Sequence, residues 1–565
     1  VTQTKNSHSL SSLTVEINVF MHGRSLMSGK VLIFSIVAVL LTSLSVQAQG
    51  QTADNSPPSV QEGQPASHDF LGLKDCYSCH TNGFPKDDFG NQFGIMANDS
   101  WIRGDEVRIW GKDDKHAQAY TSLLSETGKR IGNAMSPAVV SHHDKRCLAC
   151  HTGFPVASME TETGEAHGPI KAELYEKDLR ITVGVSCEGC HGEAREWLSA
   201  HISKDNWRFL SNEQKCEKGF TDVRSVISRT KLCLSCHLGN AAEGRVVTHE
   251  MYAAGHPPLP AFELETFEAA MPKHWRSLAE KGEDVRQEFL TKTDQQAPGD
   301  ELSRSKSLLV SSLVAKSESL RLTADLAEGV VSDQILKPQW PEFSQYDCYA
   351  CHHDLKSESW RQKVQHVGSP GRPVLTPWPD AILQIAMQQS SEPTSLQQAL
   401  AEVEAAAIKS PFGDTVTLIS SARKAADLAE EMALAINQSK LTEVEGRVVL
   451  KRIVETGATE VLDYESARQL VWAYSVIKNE LHPQLKEKSD DQHSKIPLPD
   501  ELNDLSQVFL LDFQSVGRDA KHTVPSAKEA RDVKEVDLAQ VLPPIAGYDP
   551  SVFQAVFADL KKKTP

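Results

Sequence analysis

The sequence predicts a mainly α fold in two parts: short helices and long loops first, then a region of longer helices. Three observations carry that expectation. Ten of the 11 cysteines fall into five copies of one five-residue motif, the last ending at residue 352. The stretch that holds them shows little apolar periodicity, so its core must be filled by something besides its own side chains. Beyond residue 381 apolar residues recur at helical spacing and the motif is absent. At 565 residues the chain is long enough for two or three cores, and 40% hydrophobic against 24% charged residues excludes wholesale disorder. Asp plus Glu outnumber Lys plus Arg by 76 to 59. That acidic balance argues against nucleic acid as a partner and favours basic partner proteins.

Residues 1–48 read as a signal peptide. Arg24 and Lys30 flank the start of an apolar run from Val31 to Leu41, and Val46-Gln47-Ala48 is a small-x-small cleavage site. Met21 or Met27 would open such a leader, which makes the residues before Met21 a misplaced start. The apolar run is too short to span a membrane comfortably. The processed chain is therefore expected to be periplasmic or otherwise exported, and soluble or peripheral to a membrane. Residues 49–67, rich in Gln, Ser, Pro and Gly, are expected to be flexible.

The repeated motif is Cys-x-x-Cys-His, at Cys76-Cys79-His80, Cys147-Cys150-His151, Cys187-Cys190-His191, Cys233-Cys236-His237 and Cys348-Cys351-His352. With 11 cysteines and 21 histidines in the chain, composition alone would produce roughly 0.01 copies. The spacing suits covalent haem: two thiols add to the two vinyl groups, and the following histidine ligates the iron from the proximal side. Zinc sites and disulfide frameworks use cysteine pairs but do not require a histidine after every second cysteine. Five haem c groups are the expected cofactors. Cys216, in Lys215-Cys216-Glu217-Lys218, is left over and reads as an inert thiol.

Each iron has a second axial position, and its occupant decides between electron transfer and substrate binding. His116, in a helical-looking segment through Leu124, is a candidate distal ligand. His142 and His143 lie too close to Cys147 to cross their own haem, and suit a neighbouring one. His201 follows the third motif at helical spacing, and His167 precedes a Gly-Pro turn. His249 and His256 flank Met251–Gly255, with His256 held before Pro257. His274 and His366 complete the set. His353, His482, His493 and His522 read as surface residues.

The ordered series Lys74–His80, His116–Ala119, Asp144–His151 with Gly153-Phe154, Gly184–Gly192, His201 and Cys233–His237 resembles the tetrahaem cytochrome c-554 family. That family shares its haem packing with the octahaem hydroxylamine oxidoreductases and pentahaem nitrite reductases. The resemblance covers the block from Cys76 to His237, roughly a third of the chain. It implies that His116 and His201 are distal ligands, that the haem at Cys147 is the one whose distal side can be open, and that the protein carries electrons. Glu193 stands where the family often has proline. The fifth motif and the helical tail lie outside the tetrahaem pattern. No Cys-x-x-Cys-Lys motif is present, so the lysine-ligated haem of the nitrite reductases is absent.

These signals divide the chain into a pentahaem cytochrome c domain over 68–370 and a haem-free, mostly helical domain over 381–565. Trp101, Trp110, Trp197 and Trp207 are expected against porphyrin edges. The spacing predicts a helix over 262–275 and one long helix or two over 304–331. Further helices are predicted over 381–407 with a break at Pro393, over 421–437, and from an Asp463 cap to Asn479. Residues 484–500 read as a charged linker, 500–513 as a short helix, and the C-terminal segment as a packed strap. The tail suits packing on the haem domain or a homo-oligomer. No phosphate loop, His-Glu-x-x-His motif or nucleophile elbow is present. Two functions remain: electron transfer between redox partners through mostly bis-histidine haems, or an oxidoreductase acting on a small nitrogen or sulfur compound at one open iron.

Overall fold

The computed structural model describes residues 70–77, 79–81, 101–154, 179–203, 206–293, 301–329, 340–352, 371–390, 392–409, 411–482, 496–506, 509 and 548–563. The expected signal peptide, the 49–67 segment, His167, His353, His366 and most of the 484–500 linker lie outside these residues. The described chain is mainly helical. Its only β pairing among the described residues is two isolated bridges, Asn240 with Arg245 and Tyr346 with Leu375.

The first part is built from short helices, several with a polar side chain closing the first turn. Ser125 accepts from the Gly128 amide and Asp144 from the Arg146 amide, the latter starting the helix Lys145–His151 that carries the second motif. Among the described residues, two small apolar clusters replace a conventional core here. One gathers Tyr120, Leu123, Leu148, Ala149 and Ile181, and another gathers Leu73, Cys76, Val107, Trp110, Ala117 and Val183. The loops of the second and third motifs cross where a Cβ on Gly153 would lie 2.8 Å from the Gly189 Cα. Only glycine at both positions permits that approach.

The main core belongs to the later helices. Ser303–Glu328, Asp380–Met387, Pro393–Ile408, Thr415–Gln438, Glu443–Thr459, Tyr464–Leu481 and Pro550–Lys563 bury one continuous set of side chains. Leu308, Leu309, Leu313 and Val314 of the long helix are buried, each such side chain contributing about 1.5–3 kcal/mol. The facing helix presents Ala422, Ala425, Ala426, Ala429 and Ala433, so the two backbones approach closely enough for the Ser317 hydroxyl to donate to the Ala426 carbonyl at 2.9 Å. Pro393 starts a helix at its first turn, where its missing N–H costs nothing. The Asp463 side chain caps the helix Tyr464–Leu481, and Leu470, Val471, Tyr474 and Ile477 are buried. The helix over 262–275 shortens to Leu264–Ala270.

Two expectations change. The C-terminal segment ends in a 14-residue helix, Pro550–Lys563, rather than a strap. Its Phe557 packs over Gly457, where any Cβ would collide with the ring at 2.4 Å. The long helix Ser303–Glu328 precedes the fifth motif in sequence but shares its core with the helices after residue 380.

That core buttresses the motif region. Ile227 and Leu234, on the helix Val226–His237 that carries the fourth motif, belong to it. Lys231 on the same helix pairs with Glu430 at 2.6 Å. Trp340 and Tyr346, just before the fifth motif, both donate to the Phe412 carbonyl, at 2.8 and 2.9 Å.

Candidate haem-binding site

The motif histidines lie in ordered pairs with histidines from elsewhere in the chain. His80 faces His201 with ring centroids 6.4 Å apart, and His116 faces His237 at 6.1 Å. His191 faces His274 at 6.5 Å, and His249 faces His352 at 6.1 Å. An imidazole nitrogen binds a metal at about 2.0–2.1 Å and the ring centre sits roughly 1.2 Å behind it, so two rings ligating one metal from opposite sides have centroids roughly 6.4 Å apart. The four observed separations fit a haem iron held between two axial imidazoles. Among the described residues no group of three or more His, Cys, Asp or Glu side chains would hold a bare ion. The donor set thus suits a metal that brings its own equatorial ligands.

Hydrogen bonds orient these rings. The Nδ1 atoms of His80 and His116 pair with the carboxylates of Glu106 at 3.0 Å and Asp114 at 2.9 Å. The Nδ1 atoms of His151, His256 and His274 pair with the carbonyls of Ala119 at 2.6 Å, Pro257 at 2.8 Å and Pro272 at 3.3 Å. His201 bonds the Leu198 carbonyl through Nδ1. A ring that donates through Nδ1 keeps its lone pair on Nε2, the atom a metal needs. Burial lowers His151, His191 and His237 to about 4, which keeps them neutral and ready to ligate. Burial also opposes ionisation of Glu106, but the His80 hydrogen bond and backbone N–H donors outweigh it and hold the carboxyl at about 2. Burial likewise works against a charged His116, yet Asp114 outweighs it and raises that ring.

The second motif differs. Among the described residues no ring faces His151 at the separation of the other four. His256 is the imidazole whose charge bears on it, and His256 lies 6.2 Å from the Tyr252 ring. His142 and His143 meet edge to face with ring centroids 4.2 Å apart. Burial, His143 and Lys129 lower His142 to about 4.

The motifs touch one another through their thiols. Cys76 of the first lies beside Cys187 of the third, and Cys150 of the second beside Cys236 of the fourth. Cys190 lies close to Cys233 and Cys236, joining the third motif to the fourth. Tyr252 lies near Cys348 and beside His256. Cys348 and Cys351 are exposed, unlike the thiols of the other four motifs.

Several supporting residues carry no motif signal. The buried Glu188 accepts from the Leu71, Gly72 and Ala194 amides at 3.0, 2.6 and 2.8 Å, tying the lead-in of the first motif to the third. Phe262 and Phe267 flank His237 at 5.7 and 5.4 Å, and Phe267 rests on Trp472 of the helical core at 6.0 Å. Trp197 meets His201 edge-on at 5.2 Å, while the indole of Trp110 donates to the Val185 carbonyl at 3.0 Å. Trp101 packs on Phe289 and Trp207 on Trp197. Position within a motif or two residues from a ligand would have flagged Glu188 and Asp114. Glu106 and the aromatic residues reach their rings only through the fold. Cys216 is exposed at the end of a short helix.

Comparison with known proteins points the same way. A family model described as cytochrome c554 and c-prime matches residues 104–192. Cytochrome c-554 of Nitrosomonas europaea is 23% identical over 184 residues, which is 32% of this chain and 63% of that protein. The chain thus spans less than two thirds of that relative's length. No solved structure matches the chain. The chain resembles the c-type cytochromes of this family, a resemblance that implies covalently bound haem c and electron transfer. Among the described residues no helix is long and apolar enough to cross a membrane.

Proposed function

We propose that the chain is an exported electron-transfer protein carrying five covalent haem c groups, four of them held between two imidazoles. The carrying observation is the set of four facing histidine pairs at 6.1–6.5 Å. The ligand pairs are His80 with His201, His191 with His274, His237 with His116, and His352 with His249. Haem, when bound, supplies reversible one-electron chemistry. The chain's residues do the rest. Two fixed imidazoles keep the coordination sphere unchanged on reduction, and Nδ1 hydrogen bonds hold His80, His116, His201 and His274 in place. Neighbouring motifs whose cysteines lie side by side bring their sites close enough for electrons to pass between them. The acidic surface steers basic redox partners.

A second reading is an oxidoreductase for a small nitrogen or sulfur compound at the His151 site. It is favoured by His151, which among the described residues has no facing ring at the common separation. The resemblance gives that site the same distinction.

Intact-protein mass tests the main reading. The processed chain should carry five haem masses that survive denaturation. Fewer than five, or zinc without haem, would overturn it.

A further inference from the structure

We propose that Arg245 is a positioning residue that clamps the second and fourth motifs together and raises the reduction potentials of the two haems they hold. The proposal rests on the haem reading above. Arg245 reaches the same place in both motifs, the residue just before the second cysteine. Its Nε donates to the Ala149 carbonyl at 3.0 Å, beside Cys150. Its Nη1 donates to the Ser235 hydroxyl at 2.7 Å, beside Cys236. The Ser235 hydroxyl is free to accept because it donates onward to the Leu232 carbonyl at 2.8 Å.

The turn around Arg245 is built to aim it. Asn240 and Arg245 exchange backbone hydrogen bonds of 2.7 and 2.9 Å, and Gly244 closes the turn at φ +68°. The Arg245 side chain is 14% exposed and pairs with Glu243 at 2.5 Å, while Glu243 is 48% exposed and held by the Asn240 amide at 2.9 Å. The cation therefore sits inside and its counter-charge sits at the surface, where water screens it.

A fixed positive charge beside an iron stabilises the reduced, less positive state and raises its potential. Asp114, held on His116, acts in the opposite sense on the fourth site and is the same in every variant compared. Arginine rather than lysine is required for the clamp, since two differently directed bonds need the planar fork. The charge itself is common to both.

A redox titration followed by electron paramagnetic resonance separates the sites. The pairs His80–His201 and His249–His352 have planes 15° and 26° apart, whereas His116–His237 and His191–His274 are both 86° apart, so the two classes give different low-spin signals. In Arg245→Gln, the signal of the second site and one of the two near-perpendicular signals should titrate at lower potential, while the two near-parallel signals stay. Arg245→Lys should stay near the parent, and Glu243→Gln should raise the same two midpoints. Mass gives the haem content of each variant first, so failure of the haem reading is seen before any midpoint is read. A fully loaded Arg245→Gln with unmoved midpoints, or with all five displaced together, would overturn the proposal. So would Arg245→Lys shifting as far as Arg245→Gln. If Arg245→Gln does not load, Glu243→Gln decides: no rise in those two midpoints refutes the electrostatic role.

Discussion

Removing a facing ring tests the pairing directly. His201 and His80 are nearly coplanar at 15°, and His274 and His191 are nearly perpendicular at 86°. Each axial imidazole donates π density along the normal to its own plane. Parallel rings act on the same iron orbital and split it from its partner, while perpendicular rings act on both and the splitting cancels. The oxidised protein should therefore show two low-spin signals of the strongly rhombic kind and two of the large-g kind. His201→Ala should halve the rhombic intensity and leave the large-g class whole. His274→Ala should do the reverse. Each variant should gain one iron that binds cyanide or nitric oxide. The fold should survive, because each change removes one ring and one Nδ1 hydrogen bond, worth about 1 kcal/mol for the bond. Loss of large-g intensity in His201→Ala, or an unchanged spectrum in either variant, would refute the pairing.

Three further outcomes follow from the packing and charge. Glu188→Ala strands two buried backbone N–H groups and a half-buried third, and should lower stability by roughly 3–5 kcal/mol, read as a fall in melting temperature of the loaded protein. Gly189→Ala places a Cβ 2.9 Å from the Gly153 Cα and should cost about 1–3 kcal/mol, where a neutral melt would show that the two motif loops are not locked together. Burial raises the Glu263 carboxyl to about 7 from 4.5, although its capping bonds to Thr266 and Glu265 oppose the rise. The folded state thus holds a proton that the unfolded state releases, and stability falls as pH rises from about 4.5 to 7, by at most roughly 3 kcal/mol. Glu263→Gln should remove that slope and melt higher than the parent at pH 8 but not at pH 4. Equal differences at both pH values would exclude Glu263 as the source.

The expectation of attached haem rests on the sequence alone, because Cys-x-x-Cys-His is a local pattern whose five residues act together. It also determined most of the helical tail. Apolar spacing over 381–407, 421–437 and 463–479 is a property of each helix by itself, and Pro393 and Asp463 mark boundaries through their own backbone and side-chain chemistry. The helix Glu443–Thr459 carries a Thr442–Glu445 capping box but a weaker apolar stripe, and the terminal Pro550–Lys563 helix follows a proline-rich run that reads as irregular. Which ring faces which motif was decided only by tertiary structure. His274 stands 83 residues beyond His191, and His116 stands 121 residues before His237. Spacing cannot choose among such partners, because a ligand pair needs only two nitrogens at the right separation, whatever lies between them in the chain. The same holds for Glu106 on His80, for Arg245 between the second and fourth motifs, and for the long helix that precedes the fifth motif yet packs with the helices after it. Those contacts form when separate segments are brought together, and the burial that brings them together is shared by the whole fold rather than written in any one segment.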